Sequence, residues 1–230
     1  MRQLYESNEY AVRNPNWHES DAPWKARQIE KAITKHRLSP ATVCEVGCGT
    51  GDILLNLEHA LPDATLSGYE IAPEAIERAS AKETSRTKFF LKDVLSEPDL
   101  NFDLVLAIDV LEHVDDYLSF ITGLKGLGRY KIFHIPLDLS AQSVARGWPI
   151  TNLRHDVGHL HYFFKDTALE TLQDCGYTIL DYFYTASRLE LPNQAWTSRL
   201  MKLPRRALYG CNADLAVRLL GGYSLLVLAE

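Results

Sequence analysis

The sequence predicts a doubly wound α/β domain built on a mainly parallel sheet, and three observations carry that reading. From Ala41 onward, short apolar runs alternate with stretches of helical period across short connections, the pattern of repeated βα units. The run Phe102–Ile108 (Phe-Asp-Leu-Val-Leu-Ala-Ile) is nearly continuously apolar, as a parallel strand covered on both faces should be. Between Val43 and Leu55, an apolar run leads into glycines at alternate positions (Gly47, Gly49, Gly51) and then a helical stretch from Asp52. A strand, a glycine turn and a helix start make the crevice where an open α/β sheet receives a nucleotide-like ligand.

In chain order, residues 1 to about 20 carry Tyr5, Tyr10, Trp17 and His18 around Asn14-Pro15-Asn16 without a clean period. Ser20 or Asp21 fits an N-cap, with Pro23 in the first turn of a helix that runs to about Arg37, before Ser39-Pro40. Residues 1–40 read equally as a surface helix with aromatic anchors on the sheet or as an N-terminal lid that closes over a ligand and excludes water. Val43–Val46 is the first strand and Asp52–Ala60 the first crossover helix. Ala64–Glu70 is a second strand, followed by a helix from Glu74 to about Glu83 behind Pro73. Thr87–Leu91 and Phe102–Ile108 are strands three and four, Asp115–Leu124 a helix and Tyr130–Ile135 strand five. Phe164–Cys175 is a helix stopped by Gly176, Tyr177–Thr185 a sixth strand and Tyr223–Ala229 the last, seventh strand.

A chain of 230 residues fits a single domain, 1–230, with a substantial core. Its 46% apolar and 23% charged residues are those of a soluble globular protein. The formal net charge of −6 gives no bulk electrostatic case for a nucleic-acid partner. Four cysteines without a Cys-x-x-Cys pair or framework spacing suit a reducing compartment. The polar N-terminus and the lack of a long apolar run predict a cytoplasmic chain without stable membrane insertion.

Four expected strands end in or just before an acid: Glu45, Glu70, Asp93 and Asp109. Glu45 stands two residues ahead of the glycines, where it would repel a diphosphate and suit a ligand of positive charge. The spacing Gly-x-Gly-x-Gly also departs from the Gly-x-Gly-x-x-Gly dinucleotide fingerprint, which speaks against an NAD-dependent enzyme. Glu70 lies 19 residues after Gly51, close to the distance at which an acid accepts from both ribose hydroxyls.

Glu45-Val-Gly47-Cys-Gly49-Thr-Gly51 resembles motif I of the class I S-adenosylmethionine-dependent methyltransferases, Glu/Asp-x-Gly-x-Gly-x-Gly. Gly-Tyr-Glu-Ile-Ala-Pro-Glu, Phe-Phe-Leu-Lys-Asp-Val and Phe-Asp-Leu-Val-Leu-Ala-Ile-Asp-Val-Leu-Glu-His-Val are similar to that family's second-, third- and fourth-strand segments. The resemblance implies a Rossmann-like sheet of seven strands with an antiparallel last strand, binding S-adenosylmethionine and releasing S-adenosylhomocysteine. It implies that Glu70 takes the ribose, Ile71 flanks the adenine, Asp93 meets its amino group with Val94 beside the ring, and Asp109 lies near the methionine end. It covers about Ala41 to Thr185 and the last strand. The family's Lys/Arg-Pro-Gly-Gly turn is replaced by Lys125-Gly-Leu-Gly-Arg129, which leaves that helix–strand boundary open.

Methyl transfer to oxygen needs an in-line approach and a base for the hydroxyl proton. Arg154-His155-Asp-Val-Gly158-His159-Leu-His161-Tyr-Phe-Phe164 holds three of the eight histidines, and His155 and His159 are its candidate bases; His113, after Glu112, is another. The competing role for His155 and His159 is to pin their loop, and for His113 to start a helix. His155 and His159 are four apart, but Gly158 interrupts a helix and no carboxylate pair accompanies them, so no metal site is expected. The acceptor expected is a small molecule, with a non-catalytic S-adenosylmethionine-binding protein as the alternative. Residues 186–222 form a long insertion between the last strands. Within it, 195–220 holds five Lys/Arg against Asp214, a net of +4 that leaves −10 on the remainder. It reads as a solvated helical flap or as a cover that receives an acidic or lipid-linked acceptor or touches an anionic membrane.

Overall fold

The computed structural model describes residues 14–17, 19–97, 99–191 and 202–230. Expectations that rest on Tyr5, Tyr10, His18, Arg199 and Leu200 lie outside them. One seven-stranded sheet runs in the order β3-β2-β1-β4-β5-β7-β6. Its strands are β1 Thr42–Val46, β2 Thr65–Glu70, β3 Thr87–Leu91, β4 Phe102–Ile108, β5 Gly128–Pro136, β6 Ile179–Thr185 and β7 Ser224–Ala229. The first five pair in parallel, while β7 runs antiparallel to both β5 and β6. The chain winds outward from β1 and reverses between β1 and β4, the switch point where such sheets open a crevice.

The helices are α1 Ala22–Lys35, α2 Asp52–Ala60, α3 Pro73–Ser80, α4 Tyr117–Leu124, α5 Ala141–Arg146, α6 Trp148–Asp156, α7 Lys165–Asp174, α8 Ser187–Glu190, α9 Lys202–Cys211 and α10 Ala213–Leu220. Alternate residues of β4 explain its apolar run: Leu104, Leu106 and Ile108 enter one core with Ile29, Leu54 and Leu57, whereas Val105 and Ala107 enter the other with Ile121, Leu124 and Leu172. Both faces are therefore covered, by α1 and α2 on one side and α4 and α7 on the other. Asp21 stands at the N-cap of α1 as expected but makes no side-chain cap bond; a short 3-10 turn, Glu19–Asp21, leads in instead. Beyond α4, a 3-10 turn at Lys125–Leu127 stands where the family's proline turn is missing, and β5 begins directly after it. Among the described residues, no helix is long and apolar enough to cross a membrane.

Candidate active site

A cavity of about 900 Å³ opens at the carboxyl ends of β1, β2 and β4. Its floor is the glycine turn, where Gly47, Gly49 and Gly51 take φ of +71°, +53° and +81°. The amides of Gly47 and Cys48 donate to the Tyr69 carbonyl at 2.8 and 3.1 Å, which ties the turn to β2. On the open side of the turn, a Cβ at Gly49 would meet nothing nearer than Trp17, at 3.9 Å. A ligand can reach the main chain there.

The structure gathers all nine residues of the expected nucleoside site around this floor, and all but Gly51 line the cavity. Gly51 turns inward against Phe89. The Glu70 carboxylate accepts from the amides of Gly49 (3.1 Å), Ile71 (2.7 Å) and Ala72 (3.0 Å), so it is aimed by backbone. Asp93 caps the 3-10 turn Val94–Ser96 through the Leu95 amide at 3.1 Å. Glu45 is 1% exposed and its Oε2 lacks a hydrogen-bond partner. Asp109 differs from the others because the chain supplies its partners: Lys25 Nζ at 2.7 Å and His134 Nδ1 at 2.6 Å. Its backbone φ of +54° is a strained conformation for an aspartate, of the kind that concentrates at functional sites. Lys25 comes from α1, which is fixed by buried Trp24, Ile29 and Ile33 and by the 2.6 Å bond from Trp24 Nε1 to Glu190.

The candidate bases separate. His113 and His159 both line the cavity, their rings edge to face at 4.9 Å. His159 Nδ1 lies 2.7 Å from Asp138 Oδ2, so the ring donates there and presents Nε2 as an acceptor. His155 sits on the exposed end of α6 and is not among the lining residues. His161 bonds the Val114 carbonyl at 2.8 Å and packs on Tyr117, the loop-pinning role. Glu112, Asp138 and Lys25 were not singled out by sequence reasoning.

A family model described as a methyltransferase domain matches residues 17–182, well over half of the chain. The chain belongs to the class I methyltransferase family. Among curated relatives, it is 28% identical over 134 residues to a ubiquinone biosynthesis O-methyltransferase of Xanthomonas euvesicatoria, a match covering 53% of this chain and 55% of that one. It is 26% identical over 109 residues to a trans-aconitate 2-methyltransferase of Rhodococcus jostii, covering 47% and 42% respectively. The chain thus spans about half the length of the curated relatives it matches. The structure of magnesium protoporphyrin IX methyltransferase from Synechocystis PCC 6803, with SAH bound, superposes with a TM-score of 0.60 at 17% identity. That match covers 90% of this chain and 82% of the other and concerns the fold.

S-adenosylmethionine, the methyl donor of this family, fits the residues present. Ten carboxylates line the methyltransferase cavity against two lysines, Lys25 and Lys92, an excess that favours a cationic ligand. Burial pushes the Glu45 carboxyl well up, Lys25 opposes this, and Glu70 and Asp52 add to it. Burial likewise raises Glu112, with Asp109 and Asp138 adding repulsion. For Asp109, burial is outweighed by the charge of His134 and Lys25, which hold it well below the usual carboxylate range.

These directions predict a pH dependence. Above the ordinary carboxylate range, the folded ligand-free protein binds more protons at Glu45 and Glu112 than the unfolded chain, so stability falls as pH rises. Asp109 acts oppositely: its contribution is present above the unfolded pKa and is lost only as pH falls below it, so it does not compensate near neutrality. Melting of the ligand-free protein should therefore shift upward from about pH 8 to about pH 5, each raised group contributing at most about 1.4 kcal/mol per pH unit. Glu45→Gln should flatten the slope; an unchanged slope in calorimetric scans would show that Glu45 titrates normally.

Proposed function

We propose that this methyltransferase moves a methyl group from S-adenosylmethionine to a hydroxyl of a small-molecule acceptor. The observation that carries this reading is the pairing, across one cavity, of the strand-end carboxylates with the Asp138–His159 pair. Glu70 would hold the ribose hydroxyls, Asp93 the adenine amino group, with Ile71 and Val94 beside the ring, and Glu45 the cationic methionine end. The cofactor supplies an electrophilic methyl on a sulfonium. The chain's residues bind and orient it, since strong stabilisation of the sulfonium charge would not speed its loss. Rate comes from holding the acceptor oxygen in line and from His159 Nε2 taking the hydroxyl proton, with Asp138 fixing the tautomer.

The acceptor we favour is acidic or lipid-linked. Relatives named for trans-aconitate and for ubiquinone biosynthesis support the two classes. The second half of the basic insertion carries the exposed Leu203 beside Lys202 and Arg206 on α9, and the half-exposed Leu215 and Leu219 on α10. Residues 1–40 would act as the lid that sheds water from the cavity. Residues 1–230 would act as a single cytoplasmic domain, without a nucleic-acid partner.

The test is incubation of the purified chain with methyl-labelled S-adenosylmethionine and fractionated acidic and lipid metabolites. Label in a base-stable ether product supports the reading, whereas label in a base-labile methyl ester would put the acceptor oxygen on a carboxylate and exclude the hydroxyl. Tight cofactor binding with no labelled product in any fraction would favour a binding protein instead. With the acceptor in hand and a chelator present, Asp138→Asn should lower kcat about 10- to 100-fold with little change in KM, because only the proton acceptor is disturbed. An equal kcat for the two proteins would exclude His159 from proton transfer.

A further inference from the structure

We propose that Glu112, His113 and His159 form a divalent transition-metal site on the acceptor side of the cavity. One ligand atom from each of the three lies within 4.8 Å of the others. An ion bound at about 2.0–2.2 Å would draw tetrahedral ligands to about 3.4 Å apart, so closure needs only a small side-chain adjustment. The Glu112 carboxylate is the strongest pointer. It is 1% exposed, and neither of its oxygens has a hydrogen-bond partner. A buried carboxylate without donors is costly, and a cation would relieve it.

Both rings are held as metal-binding histidines are held. His159 Nδ1 faces Asp138 Oδ2 at 2.7 Å, and His113 Nδ1 faces the Gly158 carbonyl at 3.3 Å. Outer-shell acceptors of this kind fix the tautomer and turn Nε2 toward the ion. His113 Nε2 lies 3.8 Å from Glu112 Oε1. The frame is rigid, because the Glu112 carbonyl accepts from the amides of Leu160 (2.7 Å) and His161 (3.3 Å). Two imidazoles and one carboxylate suit zinc or another first-row divalent ion rather than calcium or magnesium, and three protein ligands leave a position for a further one. The set differs from the His155/His159 spacing that the sequence argued against, since His155 lies outside the cavity.

The role of the ion rests on the proposed O-methyl transfer. An ion at this position would orient the acceptor hydroxyl and lower its pKa, so that its proton leaves to solvent. The oxygen then bonds to the methyl carbon as the C–S bond breaks. In this state His159 Nε2 is a ligand, and it takes the proton only in the metal-free protein.

The experiment titrates the chelator-stripped protein of residues 1–230 with Zn²⁺ by calorimetry and with Co²⁺ by visible absorption, and measures S-adenosylhomocysteine binding in the same samples. One ion per chain is expected, with cobalt bands of a four- or five-coordinate site. Glu112→Gln and His159→Asn should weaken uptake at least 100-fold and Asp138→Asn about 10- to 100-fold, while His155→Asn keeps it. Retained S-adenosylhomocysteine binding reports that each variant is folded. Absence of stoichiometric uptake, or uptake that survives both Glu112→Gln and His159→Asn, would overturn the site. Failure of the parent protein to bind S-adenosylhomocysteine would instead overturn the methyltransferase reading and leave the metal titration to stand by itself.

Discussion

Glu70→Ala should weaken S-adenosylhomocysteine binding by about 100-fold or more, roughly 3 kcal/mol, as measured by calorimetry. Two effects add. The carboxylate can accept from both ribose hydroxyls, and hydrogen bonds to a charged group are worth about 1.5–3 kcal/mol each. The same carboxylate also fixes the floor of the site. It accepts from Gly49 in the glycine turn and from Ile71 and Ala72 at the entry to α3, so its loss frees three amides at once. Burial raises its pKa while those amides lower it, and the net is upward. Affinity for the nucleoside should accordingly increase with pH as Glu70 ionises. Glu70→Gln separates the two effects: it preserves bulk and one carbonyl acceptor, and should lose less affinity than alanine. If both variants bind like the parent, the ribose is held elsewhere and the nucleoside site is misassigned.

How much of this site could be read from the sequence depended on how local each signal was. β3 and β4 run over the residues expected, because a continuous apolar run bounded by polar turns states both its type and its ends. The strand-end acids followed the same logic, since a parallel strand delivers its last residues to the crevice. Extending that logic to strand five would have found Asp138, two residues beyond Pro136. α5 and α6 were missed although Ser140 and Ser143 form a capping box and Pro149 sits in the first turn of α6. α6 buries no residue, so the apolar stripe that marks a helix in sequence is lacking. The sequence alone therefore leaves His155 in one loop with His159, whereas the helix carries it to the surface. Lys25 was unreadable for another reason. Its contact with Asp109 depends on how α1 crosses the sheet, a tertiary fact that no local pattern encodes. In sequence Glu112 is merely the neighbour of His113, because burial without a partner is visible only in three dimensions.

Gly51→Ala should be among the most destabilising single-methyl additions available to this chain, costing about 2–4 kcal/mol. Gly51 holds φ +81° at the N-cap of α2, where an alanine is strained by roughly 1 kcal/mol. The added Cβ would also sit 2.3 Å from Phe89 Cζ and 2.5 Å from Cε1, an overlap of the kind that costs about 1–3 kcal/mol. The ring cannot retreat the other way. Gly68 is already in contact with it, since a Cβ there would lie 2.6 Å from Phe89 Cδ1 and 2.7 Å from Cys48 Sγ. Phe89 is thus wedged between two glycines, and its packing sets the distance between the glycine turn and β3. For a chain of this size the melting temperature should fall by roughly 5–15 °C. Gly49→Ala provides the contrast. Its φ is also positive, but its Cβ meets only Trp17, at 3.9 Å, so the methyl enters the cavity rather than the core. That variant should lose about 1 kcal/mol of stability and a larger share of its cofactor affinity. Should Gly51→Ala melt within about 2 °C of the parent, the wedge does not set the turn, and the glycine serves the backbone angle alone.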